Sequence, residues 1–347
     1  MEKHPPKSET KSRVIPFRNE IMIFDCFTFF NELELLEIRL NVLDGVVDRF
    51  VIVEATKTFN NQPKPLIFAE NRFRFEKFLH KITHVVVDDY PPYETAWTNE
   101  NHQRNCIERG LRGCSENDVI LISDLDEIPM PEKIIDYRDE QGIHVFEQLM
   151  HYYYVNHLCI RRPNWRGTKM LDYRDFQHSL DAIDNYGACC IKSINPGTTA
   201  TKIRMFKDAT PIVNGGWHFT FLGGLERVRE KLRSYAHEEH NFSEYTDLRN
   251  IEKRMQADFA CHRLLGVELD ETYPEYLRNN QERYAHLLGP VTPSKIAERV
   301  RKTAKIMAHV DRMKRFAAQL LTCLIPVKKW RKRARTFFAV HLYGTAR

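Results

Sequence analysis

The chain has 347 residues, 29% of them charged, with a mean hydropathy of −0.50 and a formal net charge of +5. That length can bury a sizeable core, the composition fits a soluble globular protein, and no uninterrupted apolar run reaches the roughly 18 residues a helical bilayer span needs. The charge is uneven: residues 295–347 hold fifteen Lys/Arg against two acids, a balance of +13 that leaves −8 for the rest, so the basic character belongs to the tail.

The first residues, Met1 to Arg13, are polar and lack an apolar signal region, so neither a signal peptide nor an anchor is expected there. Eight cysteines are scattered apart from the adjacent Cys189-Cys190, with no metal-ligand spacing. Reduced thiols in a cytosolic protein are the expectation.

Residues 1–15 read as a flexible leader. Ile21–Phe27 reads as a first strand, followed by a helix near Glu32–Leu43 with apolar positions at 33, 36, 40 and 43. Arg49–Glu54 is a second strand ending in an acid, and Ile82–Val87 a third, closed by Asp88-Asp89 and Pro91-Pro92. A helix from about Asn99 to Leu111 carries Asn101, Arg104, Asn105 and Glu108 toward a fourth strand. Strands alternating with helices at this spacing predict an α/β sheet of the βαβ type.

That fourth strand, Val119–Ile122, is apolar and mostly β-branched, as in strands buried on both faces. It runs into Ser123-Asp124-Leu125-Asp126-Glu127-Ile128-Pro129, where Pro129 is expected to end regular pairing before a helix near Pro131. Ligands of open α/β sheets gather at the carboxyl ends of strands. Acids at i and i+2 of an extended segment point the same way, so Asp124 and Asp126 can share one target. Their mutual repulsion would be relieved by a hard divalent cation carrying phosphate oxygens; the alternative is a solvated acidic turn capping the next helix.

Beyond Pro131, His144–His157 reads as an aromatic strand containing Tyr152, Tyr153 and Tyr154. A polar, loop-rich span of about 40 residues follows, with Arg161, Arg162, Trp165, Asp181 and Asp184. Lys202–Phe206 is expected to be a short strand. In Asn214–Gly224, two Gly-Gly pairs flank Trp217-His218, which suggests backbone that approaches something closely, and a helix begins at Leu225.

These segments resemble glycosyltransferase family 17. The matching residues are Phe24-Asp25-Cys26-Phe27, Phe50–Glu54, the Glu100–Arg109 helix, Ser123–Pro129, Gly216-Trp217-His218-Phe219 and Tyr273-Pro274-Glu275-Tyr276-Leu277, in order over residues 20–290. The resemblance implies an α/β fold of the GT-A type with a central mixed sheet, a sugar-nucleotide donor, a divalent metal (Mn2+ or Mg2+), and inversion at the anomeric carbon. The sequence does not show the N-terminal anchor of the animal enzymes, which points to a microbial glycan assembled in the cytoplasm.

Sugar transfer needs a neutralised diphosphate, a deprotonated acceptor hydroxyl and a donor held for in-line attack. Asp124 and Asp126 are the candidates for metal and diphosphate, with Glu127 supporting them. His218 is a further metal or phosphate contact, with His237 as its competitor. For the nucleotide, Glu54 would accept from the ribose or base, Arg104 would hold phosphate or the aspartate pair, and the backbone at Phe27 would border the base. Glu226, in the first turn of its helix, is the candidate general base, with Asp184 and then Asp181 behind it. Tyr152, Tyr153, Tyr154 and Trp165 are candidates for stacking on sugar faces.

The expected activity is metal-dependent, inverting transfer of N-acetylglucosamine or a hexose from a UDP-sugar to a glycan or lipid-linked oligosaccharide hydroxyl. A nucleotidyltransferase acting on sugar phosphates and a non-catalytic glycan-binding protein are the rivals. Residues 16–290 would form the catalytic domain and 291–347 a basic, amphipathic helical extension. In that extension Phe316–Ile325 is apolar but too short to span a bilayer, and six cations from Lys328 to Arg335 are bracketed by Trp330 and Phe337-Phe338. The stretch suits a peripheral site on an anionic membrane, at its inner face, and not specific nucleic-acid recognition.

Overall fold

The computed structural model describes residues 20–177, 199–236, 242–260 and 263–302. The leader, Asp181, Asp184, Cys189-Cys190, His237 and the basic stretch 316–338 lie outside the described residues.

Four parallel strands form one half of the sheet: β1 (Ile23–Phe29), β2 (Arg49–Ala55), β3 (Ile82–Val87) and β4 (Val119–Asp124). Their crossovers carry α1 (Leu33–Leu43), then α2 (Ile67–Glu70) with a 3-10 turn, then α3 (Ala96–Asn105) prolonged by the 3-10 turn Cys106–Gly110. The second half contains β5 (Glu127–Pro129), α4 (Pro131–Tyr137), β6 (His144–Tyr152), β7 (His157–Cys159) and β8 (Asn164–Asp172). Then follow α5 (Thr199–Met205), β9 (Thr210–Ile212), β10 (Gly216–Thr220), α6 (Gly224–Ser234), α7 (Ser243–Thr246), α8 (Leu248–Ala260), β11 (Leu264–Gly266) and α9 (Glu275–Asn279). The strand order is β11-β7-β6-β8-β4-β1-β2-β3, with β8 antiparallel to both β4 and β6. The sheet is therefore mixed, flanked by helices, as the sequence implies.

Strands β1, β2 and β4 are apolar along their length because both faces are covered. Phe27, Ile52 and Leu121 point into one layer with Leu36 and Leu40 of α1, while Cys26, Val51, Val53, Ile120 and Ile122 point into the other with Ile107 and Leu111. At roughly 25 cal/mol per Å² of apolar area, these two layers supply the main drive for folding.

Four expectations change. Lys202–Phe206 is not a strand but the end of helix α5, whose inner face buries Ala200, Thr201 and Ile203. Its Lys-Ile-Arg-Met alternation mimics a strand, but docking decides: Thr201 N–H donates to Asn105 Oδ1 of α3 at 3.0 Å. The span after His157 is not all loop, because β8 runs beside β4 in the middle of the sheet. The aromatic strand stops at Tyr152, since Tyr153 takes φ +68° and turns the chain.

Pro129 ends the regular pairing, as the last residue of β5, which pairs antiparallel with β10, Gly216 opposite Pro129 and His218 opposite Glu127. Only glycine fits there: Gly216 has φ +122°, and a Cβ would stand 2.3 Å from the Ile128 carbonyl oxygen. Finally, a boundary at residue 290 cuts through packed chain, since Thr292 N–H donates to Gly266 O at 2.9 Å and receives Gly266 N–H on its Oγ1 at 3.0 Å. Residues 291 and 292 belong to the body.

Candidate active site

The acidic turn between β4 and β5 is held from below by one buried arginine. Arg39 of α1 and Asp25 of β1 are both fully buried and form a two-pronged pair, Nε to Oδ2 at 2.8 Å and Nη2 to Oδ1 at 2.6 Å. The same guanidinium donates to the carbonyls of Asp124 (3.2 Å), Leu125 (3.1 Å) and Glu127 (2.8 Å) and to Ser123 Oγ (2.6 Å). The Phe27 ring lies 4.5 Å beneath it. A turn that aims its carboxylates outward leaves its carbonyls pointing inward, and Arg39 satisfies them where water cannot.

Glu127 locks the turn from the other side. Its Oε2 accepts the Asp124 N–H at 3.1 Å, and its Oε1 accepts from Trp165 Nε1 at 2.5 Å and from Arg204. Glu127 thus supports the pair, the role its place in the sequence suggested. It reaches Trp165 and Arg204 because β8 and α5 pack beside β4 and β5.

The two aspartates face different cations. Asp124 accepts from Arg104 Nη2 at 2.9 Å and Arg204 Nη2 at 3.1 Å, and Arg104 also pairs with Glu100 at 2.8 Å. Asp126 accepts from Lys231 Nζ of α6 at 2.7 Å, and its Oδ1 stands 3.3 Å from His218 Nε2. The β5–β10 pairing makes the last contact possible. Burial pushes both carboxyls upward, yet the basic groups facing them outweigh it and hold both well below the usual carboxylate range, Arg104 and Arg204 for Asp124, chiefly Lys231 together with a hydrogen bond from His218 for Asp126. Burial lowers Lys231, but Asp126 and then Glu32 raise it further, to about 12. Both carboxylates are therefore ionised at neutral pH.

A group with a depressed folded pKa contributes stability that is present above its unfolded value, about 3.9 for Asp, and lost as pH falls through the folded value. The difference in urea midpoint between wild type and Asp124→Asn is accordingly expected to narrow as pH drops below about 4. A constant difference from pH 7 to pH 3 would contradict these pairings.

Asp126 and His218 suit a divalent cation as a pair, while Asp124 lies farther from at least one of them than ligands of a single ion stand. Ligand atoms sharing one ion with bonds of ~2.1 Å stand about 3 Å apart, which is the Asp126–His218 spacing of 3.3 Å. The Asp124 side chain keeps about a third of its surface open, 37%. Hard carboxylate oxygens with one imidazole fit Mn2+ or Mg2+.

Beside this cluster lies a small cleft lined among others by Glu32, Glu34, Phe221, Arg227 and Lys231. Lys231 belongs to both. Between β10 and α6 the chain takes left-handed conformations at Phe221 (φ +57°), Gly223 (φ +93°) and Gly224 (φ +84°), which glycine adopts without strain.

The structure thus pairs Asp124 with Arg104 and Asp126 with His218. Phe27 is adjacent, its backbone paired with Ser123 and its ring beneath Arg39. It leaves two others apart. Glu54 is fully buried, accepting the Phe68 N–H at 3.0 Å and meeting His84 at 3.0 Å and Lys64 at 3.5 Å, so its carboxylate is engaged inside the fold and not open to a ribose. Glu226 is exposed, pairs with Arg229 and is not among the residues lining the cleft. Of the four aromatics only Trp165 reaches the cluster, its ring 5.0 Å from His218; Tyr152 stacks on Phe221, Tyr153 donates to Asp258, and Tyr154 packs on His157.

A sequence model described as glycosyltransferase family 17 matches residues 12–190. The chain belongs to glycosyltransferase family 17. Among relatives of this family-17 chain, the β-1,4-mannosyl-glycoprotein 4-β-N-acetylglucosaminyltransferases of Rattus norvegicus and Homo sapiens are each 31% identical over 134 residues, 36% of this chain and 25% of theirs. The chain therefore matches only a quarter of the length of these relatives. A mannosyltransferase of Pyrobaculum calidifontis, solved in complex with GDP-Man and Mn2+, aligns over 96% of this chain and 90% of its own at 13% identity and a TM-score of 0.35, a likeness that carries no argument.

Proposed function

We propose that this family-17 chain is a metal-dependent, inverting hexosyl- or N-acetylhexosaminyltransferase of the GT-A type, using a UDP-sugar and a glycan hydroxyl. The observation that carries the reading is a pair of ionised carboxylates at the carboxyl end of the central strand, aimed by a buried arginine and ringed by Arg104, Arg204 and Lys231. Such a ring serves a reaction whose leaving group is a diphosphate. Asp124, Asp126 and His218 would hold the cation, which when bound neutralises charge on the departing diphosphate. Arg104, Arg204 and Lys231 stand where they can donate to phosphate oxygens, the electrostatic help such a leaving group needs. Trp165, beside His218, offers a ring face to a sugar. The deciding experiment is donor hydrolysis across a panel of sugar nucleotides with and without Mn2+. Turnover of a UDP-sugar that vanishes in EDTA supports the reading, and turnover indifferent to metal removes the metal from it.

The acceptor hydroxyl must lose a proton. The sequence points to Glu226, whereas the cleft presents Glu32 beside Lys231, with Glu34 already paired to His286 at 2.6 Å. A base acts in the transition state, so its loss lowers kcat by about 10²–10⁴-fold and leaves donor affinity alone. Glu32→Gln is expected to show that loss and Glu226→Gln to stay within a few-fold of wild type. The reverse result would return the role to Glu226.

The basic, aromatic stretch 316–338 is proposed, on sequence alone, to hold the enzyme peripherally at the cytoplasmic face of an anionic membrane, near lipid-linked acceptors. Among the described residues no helix is long and apolar enough to cross a membrane. Each cation near such a surface contributes about 1 kcal/mol. The full chain is expected to sediment with anionic liposomes at low salt and to be released at high salt; indifference to liposomes would refute the proposal.

A further inference from the structure

A second set of metal-ligating side chains lies away from the aspartate pair, where β3 hands over to α3. His102 sits in the last turn of α3 and Cys106 caps it, the Cys106 N–H donating to the His102 carbonyl. That bond is the i to i+4 step of a helix, which places the two side chains one above the other on the same face. Asp89 approaches from just beyond β3, its Oδ1 3.5 Å from His102 Nε2. One ligand atom from each of Asp89, His102 and Cys106 lies within 4.8 Å of the other two. Arg109 orients the carboxylate, donating Nη1 to Oδ1 at 2.9 Å and Nη2 to Oδ2 at 2.7 Å, and holds its pKa down at about 2. Each carboxylate oxygen has a second lone pair, so the arginine does not exhaust it.

We propose that Asp89, His102 and Cys106 form a second cation site, selective for zinc-type metals and separate from Asp124 and Asp126. A thiolate, an imidazole and a carboxylate are a three-ligand set for a tetrahedral ion that keeps one open position. Sulfur selects against Mg2+ and Mn2+, so the two sites take different ions. Binding breaks the Sγ–H bond of Cys106, releases that proton to solvent and forms the Sγ–metal bond, with no change of oxidation state. The ion would clip the segment after β3 to the helix that carries Arg104. Access exists, since Asp89 is exposed and His102 half-buried, while Cys106 forms the floor.

The test uses the full chain, freed of metal by chelation and titrated with Co2+ as a spectroscopic probe. One equivalent is expected to produce a near-ultraviolet thiolate-to-cobalt charge-transfer band. The band should disappear in Cys106→Ser, and in His102→Ala apparent affinity should fall at least tenfold. It should persist in Asp126→Asn, whose site holds no sulfur. Zn2+ should raise the melting temperature of wild type more than that of His102→Ala, a half-buried position. No charge-transfer band, or one of equal strength in both the His102 and Cys106 variants, would overturn the proposal. Neither outcome bears on donor turnover, so the two sites are judged independently.

Discussion

Asp126→Asn is expected to lower sugar transfer by about 10³-fold while the protein stays folded. The substitution keeps a side chain of the same size and an acceptor for Lys231 but removes a charge from the centre of the cluster. That charge is ionised at every working pH, because Lys231 and His218 hold its carboxyl below the usual range despite burial. Losing one charged group that acts on a developing diphosphate costs about 4 kcal/mol in transition-state stabilisation, which corresponds to that factor. Structural damage is limited, since Lys231 keeps 28% of its side chain exposed and can turn to water. Turnover measured beside circular dichroism and a melting curve separates the effects. A variant with near wild-type turnover would show that Asp126 only anchors α6.

Arg39→Met is expected to be the most destabilising single change, at about 3–5 kcal/mol, and to remove activity with it. It leaves the buried Asp25 carboxyl without its partner and strips the turn's inward carbonyls of their donor. Breaking a buried pair from one side costs that much, against a total stability of about 5–15 kcal/mol. Arg39→Lys should rescue little, because an ammonium cannot span the carboxylate and the carbonyls together. Arg39→Met combined with Asp25→Leu should recover much of the urea midpoint, since apolar replacement of both partners is often neutral. It should not recover turnover, because nothing then holds the turn. Recovery of both would show that the pair stabilises the fold without positioning the site.

Most of the parallel half of the sheet was legible because β1, β2 and β4 are buried on both faces and read as largely apolar runs separated by helices. Asp124 and Asp126 stood out for the same reason, as charges where an apolar run stops. Their partners did not. Arg204 sits in a stretch whose alternation imitates a strand, and only docking on α3 makes it a helix. Lys231 belongs to α6, where a lysine beside the buried Val228 and Leu232 looks like any solvated face. Arg39 offered a usable signal: it falls among the apolar positions of α1, and Asp25 lies in a buried strand, so two opposite charges in the core imply each other. Glu54 misled because a carboxylate ending a strand has the same local sequence whether it faces a ligand or, as here, Phe68 and His84.

The central claim is that Asp124 and Asp126 hold the cation that carries the donor's diphosphate. Calorimetric titration of UDP into wild type and Asp126→Asn, each in Mn2+ and in EDTA, tests it most directly. Binding is expected in wild type with Mn2+ and is expected to weaken at least 100-fold in EDTA and in the variant under either condition. Equal UDP affinity in all four titrations would contradict it and leave Arg104, Arg204 and Lys231 to carry the phosphates alone.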